Sequence, residues 1–207
     1  MRRDGKWCIG QDEGFITKHL ALKVRWLAAQ IQAAGARPLI FVDEPFLASF
    51  GTPFFAWTDP QQPRAVIEQV YAAAPARGTH CCSNTDWSIF LRSSVDVVSF
   101  DAFGFGENLL TYRDDLVGFI RGGGNLAWGI VPTDPDDLAR TSAAELTARL
   151  REMVDKLVRY GLDRAAVLRQ SLVTPACDLG SRPPETARPA FEMAAAISVA
   201  LRSEMGL

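Results

Sequence analysis

The chain has 207 residues, 48% hydrophobic and 22% charged, with 22 Lys+Arg against 24 Asp+Glu and a formal net charge of −2. Such a length and composition suit a single domain over 1–207 with its own core, and argue against a disordered, collagen-like or disulfide-scaffold chain. The near-neutral balance argues against a nucleic-acid or anionic-lipid surface, no stretch reaches the ~20 apolar residues of a membrane span, and residues 1–6 lead into no signal core, so a cytoplasmic protein is expected.

Residues 1–14 form an N-terminal segment without clear pattern. Ile16, Leu20, Val24, Leu27 and Ile31 then recur at helical spacing, with Gly35 as a cap. Leu39-Ile40-Phe41-Val42 is an unbroken apolar run of the kind that a parallel sheet buries on both faces. Residues 66–74 read as a helix, 78–82 as a short strand segment, 86–91 as a helix, and 95–100 as a strand ending in Asp101. A helix over 109–121 is stopped by Gly122-Gly123-Gly124, and a strand over 126–131 by Pro132. Ser142 and Glu145 match a capping box, and Leu146, Leu150, Met153 and Leu157 continue one face as far as Gly161. A fifth strand is expected over 167–173. After Pro183-Pro184, the residues Ala190, Ala194, Ile197 and Leu201 mark a last helix. Helix and strand thus alternate five times, which predicts an α/β fold of right-handed βα units around a parallel sheet.

Each predicted strand ends in polar residues: Asp43-Glu44-Pro45, His80-Cys81-Cys82, Asp101, Pro132-Thr133-Asp134, and Thr174-Pro175-Ala176-Cys177-Asp178. Strand C-termini line the sites of parallel α/β proteins, although polar residues also simply begin loops. Three of the four cysteines and one of the two histidines fall at these ends. His80 and Cys82, two apart in a strand, share a face. With Cys177 and Asp101 from other strands they make an N, S, S, O donor set suited to zinc. A buried cysteine beside a satisfied histidine is the competing reading. Cys81 would point away from Cys82 into the core, and Cys8 and His19 receive no role. Asp43 and Glu44 form a paired carboxylate, either a substrate-amine contact or a solvated cap or ion pair. Trp87 and Trp128 are candidate pocket walls or core residues. The triple glycine precedes a strand and reads as a helix stop, not a phosphate loop.

Phe41-Val42-Asp43-Glu44-Pro45, His80-Cys81-Cys82, the run from Val95 to Asp101, Gly129-Ile130-Val131-Pro132-Thr133, and the run from Thr174 to Gly180 follow one another in family order. In these motifs, over about residues 15–202, the chain resembles the catalytic barrel of the cobalamin-independent methionine synthases, in the superfamily shared with uroporphyrinogen decarboxylase. The resemblance implies a partial TIM (β/α)8 barrel, roughly its last five βα units. It implies zinc-dependent methyl transfer to a homocysteine-like thiol, the donor being a folate or a methyl-corrinoid protein. Zinc would be held by His80, Cys82, Cys177 and Asp101. Asp43 would contact the substrate amine, with Glu44 beside it as the second catalytic carboxylate; Trp128 and Asp178 are, on their positions in the chain, further candidate substrate contacts. Three departures stand out. Asp101 replaces a Glu, Asp178 replaces a Gly, and residues 129–133 lack the family's proton-donor His.

Two alternatives follow: a non-catalytic half-barrel that holds zinc or a partner, and a uroporphyrinogen decarboxylase-like activity, which would want an Arg cluster that the strand ends do not show. A closed barrel takes about 250 residues. Five strands leave two open edges. The chain is then expected to be a gene fragment, to pair with a second copy or a separate N-terminal half, or to fold alone as an open sheet.

Overall fold

A computed structural model describes residues 2–3, 6–7, 13–52 and 59–206; Cys8 lies outside them. Two short strands, β1 (Arg2–Arg3) and β2 (Lys6–Trp7), pair antiparallel with each other. Helix α1 (Glu13–Ala33) leads into β3 (Ile40–Asp43), and a 3-10 turn (Pro45–Ser49) follows. Next come α2 (Gln61–Tyr71), β4 (Arg77–Cys81), α3 (Ser88–Leu91) and β5 (Val97–Phe100). Helices α4 (Ala102–Leu110) and α5 (Arg113–Arg121) precede β6 (Asn125–Val131). Helices α6 (Pro135–Arg140), α7 (Ala143–Arg159) and α8 (Arg164–Arg169) precede β7 (Ser171–Pro175), and α9 (Pro184–Glu204) ends the described chain.

The five strands β3 to β7 are all parallel and lie in sequence order in one sheet. Right-handed crossovers between successive neighbours bring every connecting helix to one face, as in a βα barrel. The fold is therefore α/β, in the form of a partial barrel. Side chains alternate between the faces. Thr79, Cys81, Val98, Phe100, Leu126, Trp128 and Ile130 point toward the helices and are almost completely buried. All but Thr79, whose hydroxyl donates to the Val42 carbonyl, pack into one core with Leu146, Leu150, Val154 and Leu157 of α7 and with Ile197 and Leu201 of α9. The opposite, concave face carries Phe41, Asp43, His80, Ser99, Ala127 and Leu172. Its centre is tight, with Ala127 at 1%, but Phe41 at one edge and Leu172 at the other are 42% and 44% exposed. Five strands bend toward closure without covering their outermost rows.

The capping box forms as its spacing predicts: Ser142 Oγ accepts from the Glu145 N–H, and the Glu145 carboxylate accepts from the Ser142 N–H. Three expectations need correction. The fifth strand runs over Ser171–Pro175, whereas Val167 to Arg169 belong to α8, whose start is capped by Asp163 accepting from the Ala166 N–H. Apolar residues of a short buried helix and of a buried strand look alike without that cap. The single helix over 109–121 is two, α4 and α5, parted at Thr111-Tyr112. The second helix begins five residues earlier than expected, at Gln61.

Gly129 is a point of close approach. A Cβ there would lie 2.5 Å from the Phe100 carbonyl oxygen and 2.8 Å from Ala176 Cα. The β6–β7 register slips between Gly129 and Val131, and the Ala176 N–H donates to the Val131 carbonyl at 2.8 Å. Without a side chain at 129, the chain leaving β7 folds in over β6. Gly129→Ala is expected to cost about 1–3 kcal/mol as that segment is pushed outward. Urea unfolding tests this, a midpoint equal to that of the wild type being the contrary result.

Candidate metal centre

The parallel register sets Asp43 beside His80 and His80 beside Ser99, so these three form a row across the concave face. Cys82 follows β4 on the same face as His80. Cys177 comes from the segment that Gly129 lets in over β6. One ligand atom each from His80, Cys82 and Cys177 lies within 4.8 Å of the others, and all three residues are half-buried. Residues 95 apart in sequence meet because two strand ends of one sheet converge.

The chemistry of this trio suits a cation. His80 Nδ1 is 2.9 Å from Ser99 Oγ, while its Nε2 is buried without a hydrogen-bond partner. Burial lowers the imidazole's pKa, opposed by the nearby Asp43 and Asp101 carboxylates, which favours the neutral ring that metals bind. Burial also pushes the Cys177 thiol up to about 11. Cys82, which hydrogen-bonds it, and the Asp178 charge add to that, while the Asp178 backbone N–H opposes it. A buried imidazole nitrogen with nothing to bind, on a ring that meets two thiols, is the kind of gap that a metal fills by displacing thiol protons. The described residues therefore hold a His80–Cys82–Cys177 group able to take a metal ion.

The remaining expected residues are placed as follows. Asp101 is close enough to His80 for the two charges to interact, but it lies outside the trio and caps α4, with Oδ1 accepting from the Gly104 N–H at 2.7 Å. Burial raises its pKa, and the Gly104 and Phe103 N–H groups oppose the rise. Asp134, at the end of β6, is likewise a cap, accepting from the Asp136 and Asp137 N–H groups. Asp178 is exposed and takes φ 63°, ψ 27°, the left-handed conformation that glycine adopts most readily. Asp43 is exposed at the end of the edge strand β3. Glu44 is half-buried, its N–H bonded to the His80 carbonyl at 2.9 Å. Both carboxylates border an apolar cavity of about 430 Å³ lined also by Leu20, Val24, Phe41 and Phe46.

Trp128 is a correction. It is fully buried on the helix side of the sheet, packs edge-on against Phe100 at 5.2 Å, and donates its indole N–H to Ser171 Oγ at 2.9 Å. It walls no pocket at the strand ends. Trp87 is equally buried in that core, and so is Cys81, as its position in the strand predicts. Sequence reasoning missed Ser99 and Thr174, a hydroxyl at the end of β7 whose Oγ1 is buried without a partner. Ser99 left one signal, a lone hydroxyl in the apolar run Val97-Val98-Ser99-Phe100.

No family model matches the chain, and no curated protein matches it. Among the described residues no helix is long and apolar enough to cross a membrane.

Glu44 makes stability depend on pH. Burial, and secondarily the Asp43 charge, raises its pKa from 4.5 to about 7. The folded state thus holds this proton more tightly than the unfolded state does. The resulting penalty is absent below pH 4.5 and grows until it is complete above pH 7, on the order of 3 kcal/mol. Glu44→Gln is expected to be more stable than wild type at pH 8 and equal to it at pH 4. Urea unfolding at both values checks this, and an equal gap at the two would refute it.

Proposed function

We propose that the chain binds zinc through His80, Cys82 and Cys177 and uses it to methylate a small thiol, in the manner of the methionine synthases that its motifs resemble. The observation that carries this reading is the convergence of those three ligand atoms, with the buried His80 Nε2 unpartnered. One imidazole and two thiolates match zinc's preference, and three protein ligands leave a position for substrate.

A zinc ion bound there would lower the pKa of an incoming thiol, so that its sulfur reacts as a thiolate. Each residue of the chain then has a task. Cys82 and Cys177 give up their protons to become ligands. His80 supplies Nε2 as a neutral ring. Asp43, exposed at the next strand end, offers a carboxylate to the ammonium of an amino-acid thiol such as homocysteine. In the transfer the thiol's proton passes to solvent, an S–CH3 bond forms, and the donor–CH3 bond breaks with its electron pair remaining on the donor. The donor is a methylated folate or a methyl-corrinoid protein. Asp101 stays outside the converging trio as the cap of α4, which leaves the fourth position to the substrate thiol.

A second reading, a half-barrel that holds zinc without turnover, is favoured by the exposed Phe41 and Leu172 on the concave face. A filled barrel interior would bury both.

Purified protein is expected to contain about one zinc per chain, and His80→Ala, Cys82→Ala and Cys177→Ala to lose it while Cys81→Ala keeps it. Elemental analysis decides this, and wild-type protein without stoichiometric zinc overturns the proposal. In the cobalt-substituted protein, added homocysteine is expected to change the thiolate-to-cobalt absorption. Zinc without that change, and without methyl transfer from either donor class, leaves the second reading.

A further inference from the structure

Ser99 is 9% exposed in β5, between Val98 and Phe100, which are fully buried. A hydroxyl in such a place is costly unless it is hydrogen-bonded. Its bond is to His80 Nδ1 at 2.9 Å, from the strand position directly beside His80 in the ladder. Two proton arrangements satisfy that distance. If Ser99 donates to Nδ1, the ring proton sits on Nε2, a buried N–H without an acceptor. If Nδ1–H donates to Ser99 Oγ, Nε2 is left as the ring's free lone pair, in a residue whose ring meets Cys82 and Cys177 within 4.8 Å. The second arrangement moves the unpaired donor from a fixed, buried ring N–H to the Ser99 hydroxyl, whose proton can rotate, and it suits thiols, which are weak donors and poor acceptors.

We propose that Ser99 is a positioning residue: by accepting from His80 Nδ1–H it fixes the ring's tautomer and orientation, so that the Nε2 lone pair is free before any metal arrives. The role of that lone pair rests on the metal reading above, whereas the tautomer does not. Outer partners of metal-bound histidines act in this way, and their loss typically weakens metal binding roughly 10–100-fold. Ser99 acts through His80 and touches neither metal nor substrate.

The chain has only two histidines, and His19 is exposed on α1, so the ring nitrogens of His80 can be read directly. Nitrogen-15 NMR of metal-free, histidine-labelled protein, assigned with His19→Gln, is expected to show His80 protonated on Nδ1. Ser99→Ala is expected to shift the proton to Nε2 and to weaken zinc binding roughly 10–100-fold in a chelator competition. Ser99→Thr, which keeps the hydroxyl, is expected to restore both. If Ser99→Ala does not fold, Ser99→Cys, close in size but a poorer acceptor, takes its place. Wild-type protein protonated on Nε2, or a Ser99→Ala variant unchanged in tautomer and affinity, would overturn the inference. A wild-type protein with Nδ1–H and the expected tautomer shift that nevertheless binds no zinc would sink the metal reading and leave the assignment of Ser99 standing.

Discussion

Parallel backbone pairing in strict sequence order is what the rest of this molecule depends on. It sends every connecting helix to one face, where Phe100, Leu126, Trp128 and Ile130 meet the apolar stripes of α7 and α9. It leaves the other face to a different population, with Asp43, His80 and Ser99 aligned in neighbouring strands at one level. Because side chains alternate, a slip of one residue in β4 would send His80 into the helix core and bring Cys81 to the concave side. The apolar packing of one face thus holds the chemistry of the other in register.

Glycine at 129 extends that control to the last strand. Parallel pairing alone would carry β7 upward beside β6. The register slip at Gly129, and the space it leaves under the Ala176 backbone, turn the chain inward, so that the Cys177 sulfur comes within 4.8 Å of ligand atoms of His80 on β4, three strands away, and of Cys82 just beyond it. Asp178, held in the left-handed region, completes the bend with its N–H directed to the Cys177 sulfur. The sulfur positions are therefore consequences of backbone geometry.

Polar residues at strand ends serve two purposes in this fold, and only their surroundings separate them. Asp101 and Asp134 accept from the first N–H groups of the helices that follow and so satisfy backbone donors that have no partner within the helix. His80, Cys82 and Cys177 have no such local task. The edge strands β3 and β7 mark the limits of the sheet: among the described residues no further strand pairs with either. Asp43 stands at one limit, where the apolar cavity beside α1 opens.

The alternation of apolar runs and helical stripes was enough to determine five parallel βα units, because each element's period is written in its own residues. The His-x-Cys pair was legible in the same way, since strand alternation puts His80 and Cys82 on one face and Cys81 on the other. Boundaries such as α8 against β7 were not legible, because a buried helix turn and a buried strand draw on the same apolar residues. Trp128, Ser99 and Gly129 were decided only by the tertiary structure. An indole can line a pocket or fill a core, a serine hydroxyl takes its meaning from the ring beside it, and the need for glycine arises from a backbone segment 47 residues further along, at Ala176. The sequence by itself determined which residue types reach the strand ends. The fold decided which of them cap helices, which pack, and which three converge, because convergence depends on distances between strands that no local pattern encodes.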